Sequence, residues 1–245
     1  MDNTTEKERR KLKELERRRR EEHESEDEAY MPSSDKPEIK DKPFVLRRPP
    51  VETGGCSILL VGSGRSGKTT FLKYLIDNYF YKHVGVLFSQ SAKAEAYKNM
   101  KYPLLPLSCA YIPELINDAY KINKETKNHY PFLFVLDDVP LVKNDKELLK
   151  TLTIYRNSGI SCIHCVQTPT LVNPTCRSNY TFTLLGRCSA TEQIENICKF
   201  WLRGYFPRGW VMEEKIRWYK EVTNDHYWIY IDNYNNTIYR VKLDL

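Results

Sequence analysis

The stretch Gly62, Ser63, Gly64, Arg65, Ser66, Gly67, Lys68, Thr69, followed by Thr70, has the form G-x-x-x-x-G-K-T. Glycines let successive backbone N–H groups curl around phosphate oxygens, and the positive end of a following helix adds to the grip. The chemistry expected is binding of a nucleoside triphosphate along residues 62–70. Lys68 reaches the β- and γ-phosphates, and the Thr69 hydroxyl ligates Mg2+. The motif follows an apolar run and opens a helical pattern, which is the context this mechanism demands.

Such a loop needs a carboxylate at the end of a neighbouring strand to hold the metal shell. The run FLFVLDD supplies two. Asp137 is placed for Mg2+, and Asp138 to polarise an attacking water. A pair of turn aspartates is the plain alternative, which the apolar run before them disfavours. Gln167 ends the next apolar run, in CIHCVQTPT, where its amide would orient water near the γ-phosphate or sense hydrolysis. The residues expected at the reaction are therefore Lys68, Asp137, Asp138 and Gln167, with Thr69 and Asp137 at the metal.

The order of these signals narrows the class. A guanine-reading N-K-x-D is missing, because NKET at Asn123 lacks the aspartate and precedes the acidic pair. No arginine-rich lid of the small-molecule kinase type is clear. An acidic pair followed about thirty residues later by a strand ending in glutamine suggests an ATPase coupled to movement along a polymer.

The elements that must position these residues alternate. Apolar runs at Cys56–Val61, Val84–Ser89, Phe132–Leu136, Ile160–Val166 and Tyr180–Leu185 read as five buried strands. Helical patterns lie between them in TTFLKYLIDNYF, AKAEAYKNM, Pro113–Glu125 and KELLKTLTIYRN. The fold class expected is α/β, a three-layer P-loop NTPase with a mostly parallel central sheet. Two further helices, in ATEQIENICKFWL and MEEKIRWYKEV, and a hairpin of YWIYID and TIYRVKL close the chain. The expected organisation is an arm and linker over residues 1–50 and an ATPase domain over 51–245, with a C-terminal extension from about 190.

Residues 1–50 hold 14 basic and 14 acidic side chains, so the net charge of +6 lies on the remainder. That is a mild bias toward an anionic partner. KERRKLKELERRRREEHESEDE has only Leu12 and Leu15 as apolar residues and cannot bury enough surface to form a packed domain. It is read as a disordered or helical solvated tail, with Arg17–Arg20 as an alternative DNA contact or localisation signal. Met31–Pro50, with five prolines, reads as an extended linker. No apolar run is long enough to span a membrane and no secretory signal is visible. The expectation is a chain that is not secreted and stays in a reducing compartment, with its seven cysteines free. Cys162 and Cys165 have metal-type spacing but no second pair, and read as small apolar residues of a strand.

Together GSGRSGKT, FLFVLDD, LTIYRNSGISCIHCVQ and PTCRSN resemble the genome-packaging ATPases of double-stranded DNA viruses, the poxvirus-type branch of the FtsK–HerA superfamily. The resemblance covers roughly residues 55–190. It includes a Ser-rich turn after the second strand (FSQSAKAEAY), Arg156 at a helix end, Gln167, Arg177 and Asn179. It implies a homo-oligomeric ring, of five or six subunits, that threads double-stranded DNA into a capsid at the cost of ATP, docked on capsid or portal-like vertex proteins. It implies action in the virion or at the site of assembly in the host cell. Arg177 becomes the implied arginine finger offered to a neighbour's ATP, Arg156 the second choice, with an ordinary surface salt bridge as the alternative for each. Asp138 departs from the glutamate found in many members, and its shorter side chain must sit closer to the water.

WLRGYFPRGW, residues 201–210, mixes four aromatics with Arg203 and Arg208. It suits contact with a nucleic-acid backbone, but an amphipathic packing segment between the sheet and the terminal hairpin is the favoured reading. Two other functions remain open on the sequence. A helicase or loader would respond better to single strands than to duplex. A nucleotide-dependent scaffold would tolerate loss of Asp138 but not of Lys68.

Overall fold

Uninterrupted apolar runs put a sheet at the centre of the molecule, covered on both faces. The computed structural model describes residues 36–47, 54–89, 97, 105–107, 113–127, 129–139 and 146–243. Its strands are β1 (Ser57–Val61), β2 (Val84–Ser89), β3 (Leu105–Leu107), β4 (Phe132–Asp137), β5 (Ile160–Val166), β6 (Phe182–Leu185), β7 (Trp228–Asp232) and β8 (Thr237–Val241). They form one sheet in the order β3-β2-β4-β5-β1-β6-β7-β8. Neighbours from β3 to β6 are parallel, and β7 and β8 add antiparallel.

Alternation along each strand divides the core in two. Leu59, Val61, Phe134, Leu136, Ile160 and Cys162 face one side, and Ile58, Leu60, Leu133, Val135, Ile163 and Cys165 face the other. The first side is covered by α2 (Pro113–Glu125), α3 (Lys146–Thr153), α5 (Thr191–Phe200) and α6 (Met212–Val222). The second is covered by α1 (Lys68–Tyr79), through Phe71, Leu72, Leu75 and Ile76. The short α4 (Pro174–Arg177) lies between β5 and β6. This is the expected three-layer α/β arrangement.

The differences from expectation have local causes. β3 is absent from the expected strands because three residues with Pro106 at the centre make no pattern. The helix KELLKTLTIYRN stops at Thr153, and Tyr155–Ser158 is a 3-10 turn closed by Gly159 at φ 74°. The last parallel strand starts at Phe182, not Tyr180, whose hydroxyl is tied instead to His164 Nδ1 at 2.7 Å. The terminal hairpin is continuous with the central sheet, since Leu184 pairs with Tyr230. The helix expected in AKAEAYKNM lies outside the described residues except for Tyr97, as does the arm over residues 1–35.

Residues 36–47, expected as linker, are extended but packed against the domain. Phe44 and Leu46 are buried on the α1 side, and Asp41 bridges to Arg240 of β8. Apolar residues among the prolines give this segment something to bury. Phe44 meets Phe71 and Tyr230 edge-on, with ring centres 4.9 and 5.5 Å away. Arg240 holds the strap by pairing with Asp41 at 3.2 Å, and it also donates to Val222 O and lies over the Tyr227 ring.

Candidate nucleotide site

Parallel strands all end at the same edge of a sheet, and there the chemistry-bearing residues collect. β1 runs into the glycine-rich loop, which turns into α1. Gly67 sits just before the helix at φ 93°, a left-handed conformation that a side chain would strain. The first turn of α1 holds no acidic residue, so its free N–H groups meet no competing negative charge. The Ser66 hydroxyl is buried in the loop and makes no hydrogen bond to protein. Lys68 is buried too, its ammonium donating to Gly62 O at 2.8 Å and Ser63 O at 3.1 Å. Thr69 is half-buried and Thr70 exposed.

The loop is braced from the far side. Ser63 N donates to Arg187 O at 3.0 Å, and the Ser63 hydroxyl accepts from Ser189 N at 2.9 Å and donates to Gln193 Oε1 at 3.0 Å. These braces come from the residues after β6 and from the first turn of α5, and no local sequence pattern marks their contact with the loop.

The order β4-β5-β1 brings the acidic pair and the glutamine beside this loop. Asp137 is the last residue of β4, 5% exposed. Burial, and then the neighbouring Asp138 charge, push its carboxyl up to about 6, while Lys68 pulls the other way. The Tyr97 hydroxyl donates to Asp137 Oδ2. Nothing around Tyr97 in the sequence signals that contact. Asp138 is exposed, at φ 51°, with its N–H bonded to Cys165 O. The Gln167 amide donates to Asp138 Oδ2 at 2.7 Å. A Cβ built on Gly64 would stand 4.0 Å from Gln167 Oε1, so the amide also faces the loop.

The arginines lie elsewhere. Arg177 Nε donates to Val172 O at 2.9 Å, and its guanidinium stacks 3.6 Å above the Phe200 ring. Arg156 sits at the opposite edge of the sheet, where its guanidinium reaches Asn179 O and Thr181 Oγ1 and its carbonyl accepts from Gly55 N. Asn123, of the failed guanine motif, is a buried clamp at that same edge, donating to Tyr130 O and Ser158 O.

Cys162 and Cys165, three apart on a strand, project to opposite faces and cannot share a metal. Between them His164 is fully buried, and burial lowers its pKa to about 4. In residues 201–210, Phe206 stacks on Trp210 and meets Trp218 edge-on, and the Tyr205 hydroxyl bonds to Glu38 O. The aromatics pack against α6 and the strap in the same apolar cluster as Ile229 of β7, and Arg203 and Arg208 stay exposed.

A family profile described as poxvirus A32 protein matches residues 51–202. The chain belongs to that family. The resemblance to viral packaging ATPases drawn from the motifs agrees with it. A search of curated proteins finds no match. Among solved structures, the genome packaging NTPase B204 of Sulfolobus turreted icosahedral virus 2, in complex with ATP-gammaS, is similar at 15% identity and a TM-score of 0.55. The alignment covers 78% of this chain and 98% of that one. The same NTPase with AMPPCP aligns at 14% identity and a TM-score of 0.55, over 79% of this chain and all of that one. The pCW3 conjugation coupling protein TcpA, with ATPgS, aligns at 12% identity and a TM-score of 0.53, over 77% of this chain and 60% of that one. These similarities establish a shared P-loop NTPase fold. No helix among the described residues is long and apolar enough to cross a membrane.

Proposed function

We propose that this protein is the ATPase that drives double-stranded viral DNA into a capsid. The observation that supports this most directly is the convergence of Lys68, Asp137, Asp138 and Gln167 at one sheet edge in a chain of the A32 family.

In this reading the amides of residues 62–70 take the phosphates of ATP, and Lys68 exchanges its two loop carbonyls for phosphate oxygens. Thr69 and Asp137 offer the hard oxygen ligands that suit magnesium, and burial, with the Asp138 charge beside it, explains why Asp137 ionises reluctantly before a cation arrives. Thr69 and Asp137 would hold the metal, which when bound would neutralise phosphate charge. Asp138 and Gln167, already hydrogen-bonded, hold the attacking water and accept its proton at an Asp138 oxygen. Arg177 extends the site across a subunit boundary to a neighbour's γ-phosphate. Hydrolysis then moves one subunit relative to the next around a ring, and sequence-independent phosphate contacts pass the step to duplex DNA. Capsid or portal-like vertex proteins anchor the ring at the assembly site in the infected cell.

The decisive measurement is ATP hydrolysis by purified protein with and without long duplex DNA, beside its mass in solution with nucleotide. Stimulation by duplex and assembly into a ring support the proposal. A monomer that hydrolyses ATP equally well in both conditions sinks it. Stronger stimulation by single strands than by duplex points to strand separation instead.

A further inference from the structure

A cleft of about 660 Å3 opens beside the glycine-rich loop, on the side away from Asp137 and Gln167. One wall is Thr70 and Phe71 of α1; the other is His226, Trp228, Lys242 and Leu243. The strand order explains the pairing. β5 and β4, which carry Gln167 and Asp137, lie on one side of β1, and β6, β7 and β8 lie on the other. A triphosphate with its terminal phosphate facing β5 and β4 must point its nucleoside toward β7 and β8.

The hairpin is oriented to receive it. Because β7 runs antiparallel to β6, the start of β7 and the end of β8 reach the same edge as the loop, and Trp228 pairs with Val241. The hairpin's own turn lies at the far edge. Trp228 is held fast, its ring 5.2 Å from Phe71 and so close over Gly186 that a Cβ there would meet it at 2.5 Å. The turn before β7 is unusual. Asp225 and His226 both hold positive φ, at 51° and 62°, a costly conformation for consecutive non-glycine residues. That turn aims the exposed His226 at the cleft, and Asp225 ties it to the end of β8 through a 2.8 Å ion pair with Lys242.

We propose that the open end of the β7–β8 hairpin is the nucleoside subsite, with the base and ribose of a purine nucleotide held between Thr70–Phe71 and His226–Leu243. This rests on the nucleotide reading above but uses residues beyond 202, where the family match ends. The subsite gives the strained turn beside the loop a role. It also makes the C-terminal hairpin part of the nucleotide grip.

The test separates the two halves of the ligand by calorimetry of ATP and of inorganic tripolyphosphate, which has no nucleoside. His226→Ala, at an exposed position, and His226→Ala combined with Leu243→Ala are compared with Lys68→Ala. The double variant is expected to bind ATP about tenfold more weakly, a loss typical of removed apolar contact, and to bind tripolyphosphate within about twofold of the parent. Lys68→Ala is expected to weaken both ligands. Unchanged ATP affinity in the hairpin variants overturns the subsite, as does an equal loss of both ligands in them. If the unaltered chain binds neither ligand, the nucleotide reading fails and the subsite with it.

Discussion

The Gln167 side-chain amide donates a 2.7 Å hydrogen bond to the Asp138 carboxylate, linking the ends of two adjacent strands beside the phosphate loop. Each residue fixes the other, because Asp138 is exposed and would otherwise sample several rotamers. Neither side chain lies in the glycine-rich loop. Gln167→Ala should therefore lower kcat by about 10- to 100-fold, as expected when a water-positioning group is lost, while ATP affinity stays within about twofold. Steady-state kinetics beside equilibrium binding checks this. A loss confined to affinity would place Gln167 in substrate binding and not in the chemistry.

Asp137 predicts an unusual pH dependence of stability. Its carboxyl ionises near 6 in the folded chain against an ordinary value of 3.8, chiefly because it is buried. Folding therefore takes up a proton between about pH 4 and 6, and ionisation above that window works against the fold. Asp137→Asn keeps a similar shape without the charge. It should gain nothing at pH 4 and up to about 3 kcal/mol at pH 7, the equivalent of the shift at 1.36 kcal/mol per unit. It should also lose ATP hydrolysis. Thermal unfolding of both proteins from pH 4 to 8 measures the difference, and a gain that does not grow through that window contradicts the assignment.

The edge where Lys68, Asp137, Asp138 and Gln167 meet was legible in the sequence because parallel strands convert a one-dimensional order into a place. An apolar run followed by a loop motif, an acid pair or a glutamine puts each of these at a strand's carboxyl end. What the sequence hides is everything that reaches the site from a distance. Tyr97 meets Asp137 across 40 positions, and Gln193 braces Ser63 across 130, neither with a local pattern. The hairpin was readable, but not that its open end faces the loop, since this depends on its pairing antiparallel to β6. Proline content suggested a linker at residues 31–50, and Phe44 and Leu46 outweigh it because burial decides where an extended chain lies.

The strap accordingly predicts a sharp boundary for truncation. Removing residues 1–35 should leave the melting temperature of the domain within a few degrees. Phe44→Ala empties a site between Phe71, Tyr79 and Tyr230 and should cost about 3–5 kcal/mol, the range for a buried phenylalanine. Urea unfolding of the two proteins measures both. Equal stability of parent and Phe44→Ala would mean that the strap does not hold the domain in solution.

Arg177 predicts action across subunits. Its guanidinium lies 3.6 Å over Phe200 and 5.5 Å from the Trp201 ring, with one donor used on Val172 O. Stacking fixes the plane while leaving the remaining donors for a partner. Lysine cannot reproduce that plane, so Arg177→Lys should lose hydrolysis nearly as fully as Arg177→Ala. Phe200→Ala should lose part of it through misplacement alone. Mixing Arg177→Ala with unaltered protein distinguishes the roles. In a ring where each arginine serves the neighbouring ATP, activity falls more steeply than the fraction of unaltered chains. An arginine that only braces α4 against α5 leaves activity proportional to that fraction. Arg156→Ala is the contrast. Its guanidinium already serves Asn179 and Thr181, so its loss should lower the melting temperature while mixtures respond in proportion.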